Sequence, residues 1–192
     1  MHMKPVLILA RMRRPLRRFL ADKRGVSAVE FAMLLPLMVT LYLGGVEVSS
    51  AVAIDRKVTL IARTLGDLVA QATSVDNTSM TSILAATTAV MAPYSDTNLK
   101  ITVSSVQVNS QGVAKVSWSD TKNGTRRTVG STVILPAALN IASSSLIWAE
   151  ASYAYTPTIG YVITGTKNLT DQIYMRPRLS DCVLRPTTQT SC

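Results

Sequence analysis

The feature that most constrains this chain is the apolar run from Val26 to Val46, VSAVEFAMLLPLMVTLYLGGV. The run contains a single charged residue, Glu30. As a helix it would extend about 30 Å, which matches the hydrocarbon thickness of a bilayer. The sequence therefore predicts a transmembrane helix over residues 26–46, with most of the 192 residues on one side of it.

The charge around this run predicts its orientation. Eight of the 20 Lys and Arg residues lie in residues 1–25, where Asp22 is the one acid. This leader therefore carries seven of the nine net positive charges of the chain. Because Lys and Arg are enriched on the cytoplasmic side of membrane helices, we expect a cytoplasmic N-terminus. The chain is therefore expected to cross a membrane once and to export the residues after about 47.

Two other interpretations of the N-terminal segment fit less well. A basic leader can bind nucleic acid, but this one has only Phe19 as an interleaved aromatic residue and adjoins the apolar run. We therefore predict no nucleic-acid partner. A cleaved secretory signal has a shorter apolar core, although Ala51-Val52-Ala53 matches its small-residue cleavage pattern. Cleavage there would cut the helical pattern that continues past the membrane.

Residues 47–72 are predicted to continue the helix as an amphipathic segment. Apolar residues recur there at alternating spacings of three and four, which is a heptad pattern. They are Ala51, Ile54, Val58, Ile61, Leu65, Leu68 and Ala72. Such a stripe packs on the chain's own domain or is shared with neighbouring subunits, and we favour the first for most of its length.

The remainder, residues 73–192, is predicted to be an exported α+β domain. A turn around Ser74–Ser79 leads to a second helix over residues 78–91, which Pro93 ends. The alternation of apolar residues changes parity between Val103 and Val106, which predicts a β-bulge. Asn123-Gly124 predicts a hairpin turn.

Two further strands are predicted near the C-terminus. The first covers residues 146–155 and places alternate residues on one face, namely Ile147, Ala149, Ala151, Tyr153 and Tyr155. The second covers about residues 171–178. A long helix followed by a meander of strands indicates an antiparallel sheet packed on the helix.

The two cysteines of the chain, Cys182 and Cys192, lie far beyond the predicted membrane helix. Thiols in an exported domain normally oxidise, so we expect an intramolecular disulfide, with intermolecular pairing and free thiols as the alternatives. Closing so short a loop would stabilise the domain by about 2–3 kcal/mol. The bond is expected to hold the Arg185-Pro186 tail rather than the core.

The sequence offers little for catalysis. The one histidine, His2, lies beside the first methionine, and no nucleotide-binding, nucleophile-elbow or zinc-protease motif is present. Two cysteines alone cannot form a zinc site, and the acids are scattered. We therefore expect no enzyme, no metal site and no cofactor. The small basic clusters, Arg126-Arg127 and Arg176-Pro177-Arg178, are expected to be solvated, with a contact to a partner as the alternative.

The junction of the leader and the helix resembles a known pattern. The stretch from Arg24 to Phe31, RGVSAVEF, resembles a type IV prepilin cleavage site, with a glycine before the cut and a glutamate fifth after it. Residues from Lys23 to about Gln71 look like the TadE-like minor pilins, or pseudopilins, of the tight-adherence (Tad/Flp) pilus system. Phe31 stands where the major pilins of that system usually have tyrosine. A weaker similarity covers residues 145–178.

The resemblance implies roles for four residues. A prepilin peptidase, which is a membrane aspartyl enzyme, would cut between Gly25 and Val26, so this chain would be its substrate. Glu30 would then pair with the new Val26 amine of an adjacent subunit and set the register of assembly, together with Phe31. An acid inside the membrane is costly unless it is paired. Alternatively, Glu30 extends to the lipid headgroups, since it lies near the end of the helix.

Three residues are expected to break the membrane helix. Pro36 removes a backbone hydrogen bond, and the adjacent Gly44 and Gly45 weaken the helix further. In a pilin such breaks would let the helix bend or extend within the fibre. The alternative is an irregularity of the kind that membrane helices tolerate.

The sequence thus predicts a membrane-anchored, pilin-like protein. After cleavage it would take part in assembling a Tad/Flp-type pilus for adhesion or secretion, in contact with other pilin subunits and assembly-platform proteins. The alternative is an unprocessed inner-membrane scaffold whose exported domain binds partners. A tethered envelope enzyme is a further class, which the absence of a nucleophile and base disfavours.

Overall fold

The computed structural model describes residues 24–157, 160 and 164–192. It has two helices, α1 and α2, and five strands, β1–β5, in an antiparallel sheet, which confirms the predicted α+β class. In chain order the elements are α1 (Arg24–Ala70), α2 (Asn77–Ala89), β1 (Leu99–Val108), β2 (Ala114–Lys122), β3 (Thr132–Val133), β4 (Ser144–Tyr155) and β5 (Lys167–Met175).

The chain divides into two compact units, one up to Val46 and one from Glu47 onward. The described part of the first unit is the N-terminal half of α1. The second unit contains the rest of α1, α2 and the whole sheet.

Helix α1 is continuous over 47 residues, including Pro36 and the Gly44-Gly45 pair. One turn after the proline, the Thr40 hydroxyl donates to the carbonyl of Pro36 at 2.7 Å. The residues predicted to break the helix therefore do not end it in this structure. Bending or extension at these positions within a fibre stays a prediction.

The sheet has the strand order β3-β2-β1-β4-β5, so β1 is central. The predicted meander is right for β1, β2 and β3, which are sequential neighbours. It is wrong for β4, which pairs with β1 rather than with β3. The final strand ends at Met175, so the predicted strand over residues 171–178 lies too far toward the C-terminus. Backbone hydrogen bonding explains the difference, because Arg178 N donates to Ala70 O on α1 instead of to the sheet.

A bulge is present between β1 and β2, but it lies in β2 and not in β1, where the change of parity predicted it. The register shifts between Ser105 and Val106, which face Trp118 and Val116. The extra residue is therefore Ser117 of β2, while the pairing of β1 with β4 stays regular. On β1 the apolar side chains change from one face of the sheet to the other, which explains the change in parity.

Asn123-Gly124 forms a turn but not the tight hairpin that the dipeptide predicts. Asn123 has a φ of 58°, and its side-chain amide donates to the carbonyl of Leu99 at 3.1 Å. The chain then follows β2 backwards as a loop, in which Gly130 N donates to Val116 O at 2.7 Å. Regular pairing resumes only in the two residues of β3.

The main core lies between α1 and one face of the sheet. The helix contributes Ile54, Val58, Ile61, Ala62, Leu65 and Val69, and β4 contributes the five predicted residues from Ile147 to Tyr155. The predicted heptad stripe is wrong at Leu68, which is 36% exposed, while Val69 is fully buried. A straight helix has 3.6 residues per turn, so its buried face drifts away from a strict heptad within a few turns.

Helix α2 begins with a capped turn and ends two residues before the prediction. Asp76 is the N-cap and accepts a hydrogen bond from Ser79 N at 2.7 Å, which lowers the pKa of its carboxyl. After α2, Lys57 of α1 donates from Nζ to the carbonyls of Val90 at 3.0 Å and Ala92 at 2.7 Å. These carbonyls follow the last turn of α2, where unpaired acceptors favour a cation.

A second apolar cluster lies on the opposite face of the sheet and was not predicted. It consists of Val106, Val108, Ala114, Leu135 and Leu146. The loop between β3 and β4, which contains Leu135 and Leu139, covers this part of the face. Trp148 and Tyr174 pack against this cluster, and polar side chains lie beyond them on the same face.

Candidate functional site

The residues predicted for processing and assembly lie in the first two turns of α1. A Cβ added at Gly25 would meet no atom within 4 Å, so the space beside this residue is open. Val26 and Glu30 are four residues apart and therefore lie on the same side of the helix. Both side chains, and that of Phe31, are exposed. The predicted leader lies outside the described residues apart from its last two positions.

The helix that follows exposes a continuous apolar surface. Its exposed large side chains are Val26, Val29, Phe31, Met33, Leu34, Leu35, Leu37, Met38, Val39, Leu41, Tyr42 and Val46. Contiguous apolar surface of this kind marks contact with lipid or with other protein chains. The helix from Gly25 to Ala70 is long and apolar enough, by length and composition, to cross a membrane. Among the described residues it is the one candidate span.

The C-terminal residues form a strap, defined here as residues 182–192. Cys182 and Cys192 form a disulfide, as predicted. The strap joins α1 and α2 to the sheet, since Val75 N donates to Leu184 O at 2.9 Å and the Trp118 indole donates to Val183 O at 2.8 Å. Val183 is completely buried. The expectation that the disulfide holds only a tail is therefore wrong, because the bond anchors residues that belong to the core.

Arg185 is the main residue of the strap that sequence reasoning missed. Its side chain is buried, and Nε donates to Asp120 Oδ2 at 2.8 Å. Its two terminal nitrogens donate to Val75 O at 2.9 Å and to Asn77 Oδ1 at 2.7 Å. This one guanidinium connects the strap, β2 and the linker between the helices. An arginine beside a proline near a chain end gives no pattern that predicts burial.

Glu47 was also missed, although it directly follows the predicted span. It is buried in the second unit, where the Tyr155 hydroxyl donates to its backbone carbonyl at 3.4 Å. Burial, together with the nearby charge of Glu47, raises the pKa of Tyr155. A signal was available in the sequence. Glu47 lies one helical turn before Ala51, so it is on the same face of α1 as the buried stripe.

Three of the four arginines in the basic clusters form ion pairs with acids among the described residues. Arg126 and Arg127 contact Asp120 and Glu150, and Arg178 contacts Asp67 of α1. These pairs lie within the second unit. Within the described ranges no three side chains of the His, Cys, Asp or Glu type are grouped as a metal site would require.

Comparison with known proteins identifies the N-terminal helix. Residues 25–65 match a family model described as TadE-like protein. These residues are therefore similar to the TadE-like family and form a TadE-like domain. The match begins at Gly25 and covers most of α1, whereas the sheet and the strap lie outside it. Searches of curated proteins and of solved structures gave no match.

The TadE-like domain associates the chain with the membrane and with Tad pilus systems. The same residues form the apolar helix, so family and structure agree on a single-pass membrane protein. The exposed apolar surface and the open space at Gly25 both lie within this domain.

Proposed function

We propose that this TadE-like chain is a minor pilin, or pseudopilin, that is cut between Gly25 and Val26 and then takes part in assembling a Tad/Flp-type pilus. The proposal places the basic leader in the cytoplasm and the second unit in the periplasm. The pilus would serve adhesion or secretion. No catalytic step is assigned to the chain, which acts as a substrate of the peptidase and as a structural subunit.

The observation that carries the proposal is where the TadE-like match begins. Its first residue is Gly25, which is also the residue expected before the cut. The exposed apolar side chains from Val26 onward support a segment that moves from lipid into contact with other subunits. Both environments are apolar, so the same surface suits each of them.

The decisive experiment determines the mature N-terminus. The chain is expressed with and without a prepilin peptidase, extracted from membranes and analysed by intact mass. We expect Val26 to be the first residue only when the peptidase is present. A chain that retains its leader in peptidase-positive cells would contradict the pilin proposal and favour the uncut scaffold.

Two matched glycine variants show whether the effect is local. We expect Gly25→Val to block processing, because a branched side chain hinders an extended backbone that enters a peptidase site. Gly45→Val is the control, since a Cβ at either glycine meets no atom within 4 Å. Both changes also place the same β-branched residue in α1. Loss of processing in both variants would indicate a general helix effect and contradict the assigned cleavage site.

Glu30 provides a separate test of assembly. We propose that its carboxylate pairs with the Val26 amine of a neighbouring subunit. Glu30→Gln keeps the shape of the side chain but removes the charge, so we expect processing to continue and incorporation into the pilus to fall. Normal incorporation of this variant would contradict a role of Glu30 in setting the register of assembly. It would favour the alternative, in which the Glu30 side chain extends to the lipid headgroups.

A further inference from the structure

A trough on the face of the sheet opposite α1 has features of a binding site. It has a volume of about 690 Å³. Its floor consists of aligned side chains from three strands. Ser152 of β4 pairs with Lys100 on one side and Thr170 on the other, and Glu150 pairs in the same way with Thr102 and Gln172. The loop after β2, with Thr125 and Arg127, forms one wall.

The trough begins where the second apolar cluster ends. Side chains that are paired across the strands form rows on this face. The row next to Glu150 consists of Ser104, Trp148 and Tyr174, and the row after it contains Val106 and Leu146. The apolar rows are covered by the loop between β3 and β4. The polar rows are not covered by any described residue, since Lys100, Thr170 and Gln172 are exposed.

The wall of the trough is held in place by contacts within the domain. Arg127 Nη2 bonds Glu150 Oε2 at 2.6 Å, and its guanidinium lies 3.6 Å from the centre of the Trp148 ring. Trp148 also stacks on Tyr174, with ring centres 5.3 Å apart, and donates to Gln172 Oε1 at 3.1 Å. Groups ordered in advance lose little entropy when a ligand binds.

Several polar groups of the floor retain hydrogen-bonding capacity. Among the described residues, no partner is found for the side chains of Lys100, Ser152 and Thr170, and one oxygen of Glu150 is unused. Together they present donors and acceptors at the spacing of adjacent strands, about 5 Å. The side chains of the lining include no apolar group larger than that of Ala151. A peptide usually needs an apolar pocket for an anchor side chain, which this trough does not offer.

The charges of the trough favour a ligand with one negative charge. Arg127 and Glu150 neutralise each other, whereas Lys100 has no acidic partner among the described residues. Asp171 also borders the trough, but strand alternation places its side chain on the other face, and it accepts a bond from Gln172 N at 2.8 Å. The ammonium of Lys100 is therefore the one uncompensated charge of the described floor.

We propose that this trough binds a saccharide that carries a carboxylate, such as a hexuronate. The sugar hydroxyls would bond Ser152, Thr170 and Glu150, and the carboxylate would pair with Lys100. The site lies outside the TadE-like match, so the proposal goes beyond the assembly role of α1.

The test uses the full chain in phosphatidylcholine nanodiscs, which contribute no sugar headgroup, with empty nanodiscs as a blank. The probes are methyl β-D-glucuronide and methyl β-D-glucoside. They differ only at C6, which is a carboxylate in the first and a hydroxymethyl group in the second. Saturation-transfer NMR should show binding of the glucuronide with a dissociation constant of about 1 mM and binding of the glucoside about tenfold weaker. Acetate should compete far less well than the glucuronide.

Three variants connect the signal to the trough. Lys100→Gln should reduce binding of the glucuronide to the level of the glucoside, and Ser152→Trp should abolish both by filling the floor. Lys115→Gln removes an exposed lysine of β2 outside the trough and should change neither. The proposal is overturned if the folded wild-type chain gives no transfer to the glucuronide, if acetate competes equally, or if the Lys100 and Ser152 variants bind as the wild type does.

Discussion

Arg185 and Asp120 form an ion pair inside the second unit, with 2.8 Å between Nε and Oδ2 and each side chain only 6% exposed. The pair joins the C-terminal strap to β2. Its remaining groups are satisfied, because Arg185 also donates to Val75 O and Asn77 Oδ1. A buried ion pair with complete hydrogen bonding becomes costly when one partner is removed, since the other charge stays buried.

We therefore expect Arg185→Met to lower the free energy of unfolding of this unit by about 3–5 kcal/mol. Urea titration of the full chain, followed by tryptophan fluorescence, measures this, since Trp118 contacts the strap. Arg126→Met is the matched control. Arg126 contacts the same carboxylate but is 66% exposed, so its loss should cost no more than about 1 kcal/mol. An equal loss of unfolding free energy in the two variants would contradict the claim that burial makes the Arg185–Asp120 pair more important than the Arg126–Asp120 pair.

Gly66 allows α1 to approach β5 closely. A Cβ at this position would lie 3.3 Å from Ile173 Cγ2 and from Met175 Sδ. Gly66→Ala is expected to be almost neutral, because a gain in helix propensity of about 1 kcal/mol offsets this tight contact. Gly66→Val adds two further methyl groups and should destabilise by about 1–3 kcal/mol. The two variants are compared by thermal unfolding followed by circular dichroism. Equal stability of the Val and Ala variants would contradict a steric limit at the contact between α1 and β5.

Lys57 should stabilise the segment that follows α2. Lys57→Met keeps the aliphatic part of the side chain but removes the donor to the carbonyls of Val90 and Ala92, which are partly exposed, at an expected cost of about 0.5–1.5 kcal/mol. Arg56→Met is the control, because Arg56 is its exposed neighbour on the same helix. Hydrogen exchange of residues 85–94 should increase in the Lys57 variant alone. Unchanged exchange would show that these bonds do not hold the segment.

Acid should weaken the contact between β2 and the loop that leads from α2 to β1. The pKa of Asp96 lies below its usual value of 3.8 because Lys122 donates to it at 3.0 Å and lends its positive charge. A lowered carboxyl pKa contributes stability above the unfolded-state value, and this contribution is lost as the pH falls through the folded-state value. Unfolding midpoints measured from pH 6 to pH 2 should therefore fall less steeply below about pH 4 in Asp96→Asn. An unchanged slope in Asp96→Asn would contradict the contribution assigned to this pair.

Removing the disulfide should also destabilise the second unit. Cys192→Ser should lower its free energy of unfolding by about 2–3 kcal/mol, because the unfolded chain is then less constrained. Reduction of the wild-type chain should have the same effect and should add nothing to the variant. An effect of reduction on the variant would indicate a cause other than the bond between Cys182 and Cys192.

Periodic features were predicted well from the sequence. Alternation over residues 147–155 identified the buried face of β4. The change of parity near Val106 instead reflects apolar side chains on both faces of a regular β1, since the bulge lies at Ser117 of β2. Leu68 shows the limit of this approach, since a heptad and a 3.6-residue period place different residues on the buried face after a few turns.

Contacts between distant residues could not be predicted in this way. Asn123-Gly124 favours a turn by local preference, but the position of the next strand depends on backbone bonds to Val116. Arg185 has no periodic neighbours, and its burial depends on Asp120, which is 65 residues earlier. For the candidate site, the cleavage pattern is local and visible in the sequence. The trough consists of side chains from three strands, which only the fold brings together.

The strap has a consequence for the order in which the molecule is made. Val183 and Arg185 complete the core, yet they are synthesised after every strand of the sheet. While the chain is being made, the apolar helix therefore emerges long before the second unit has the residues that close it. Insertion of the helix into the bilayer can thus precede completion of the core. If the second unit is exported as proposed, it can cross the membrane before it has folded.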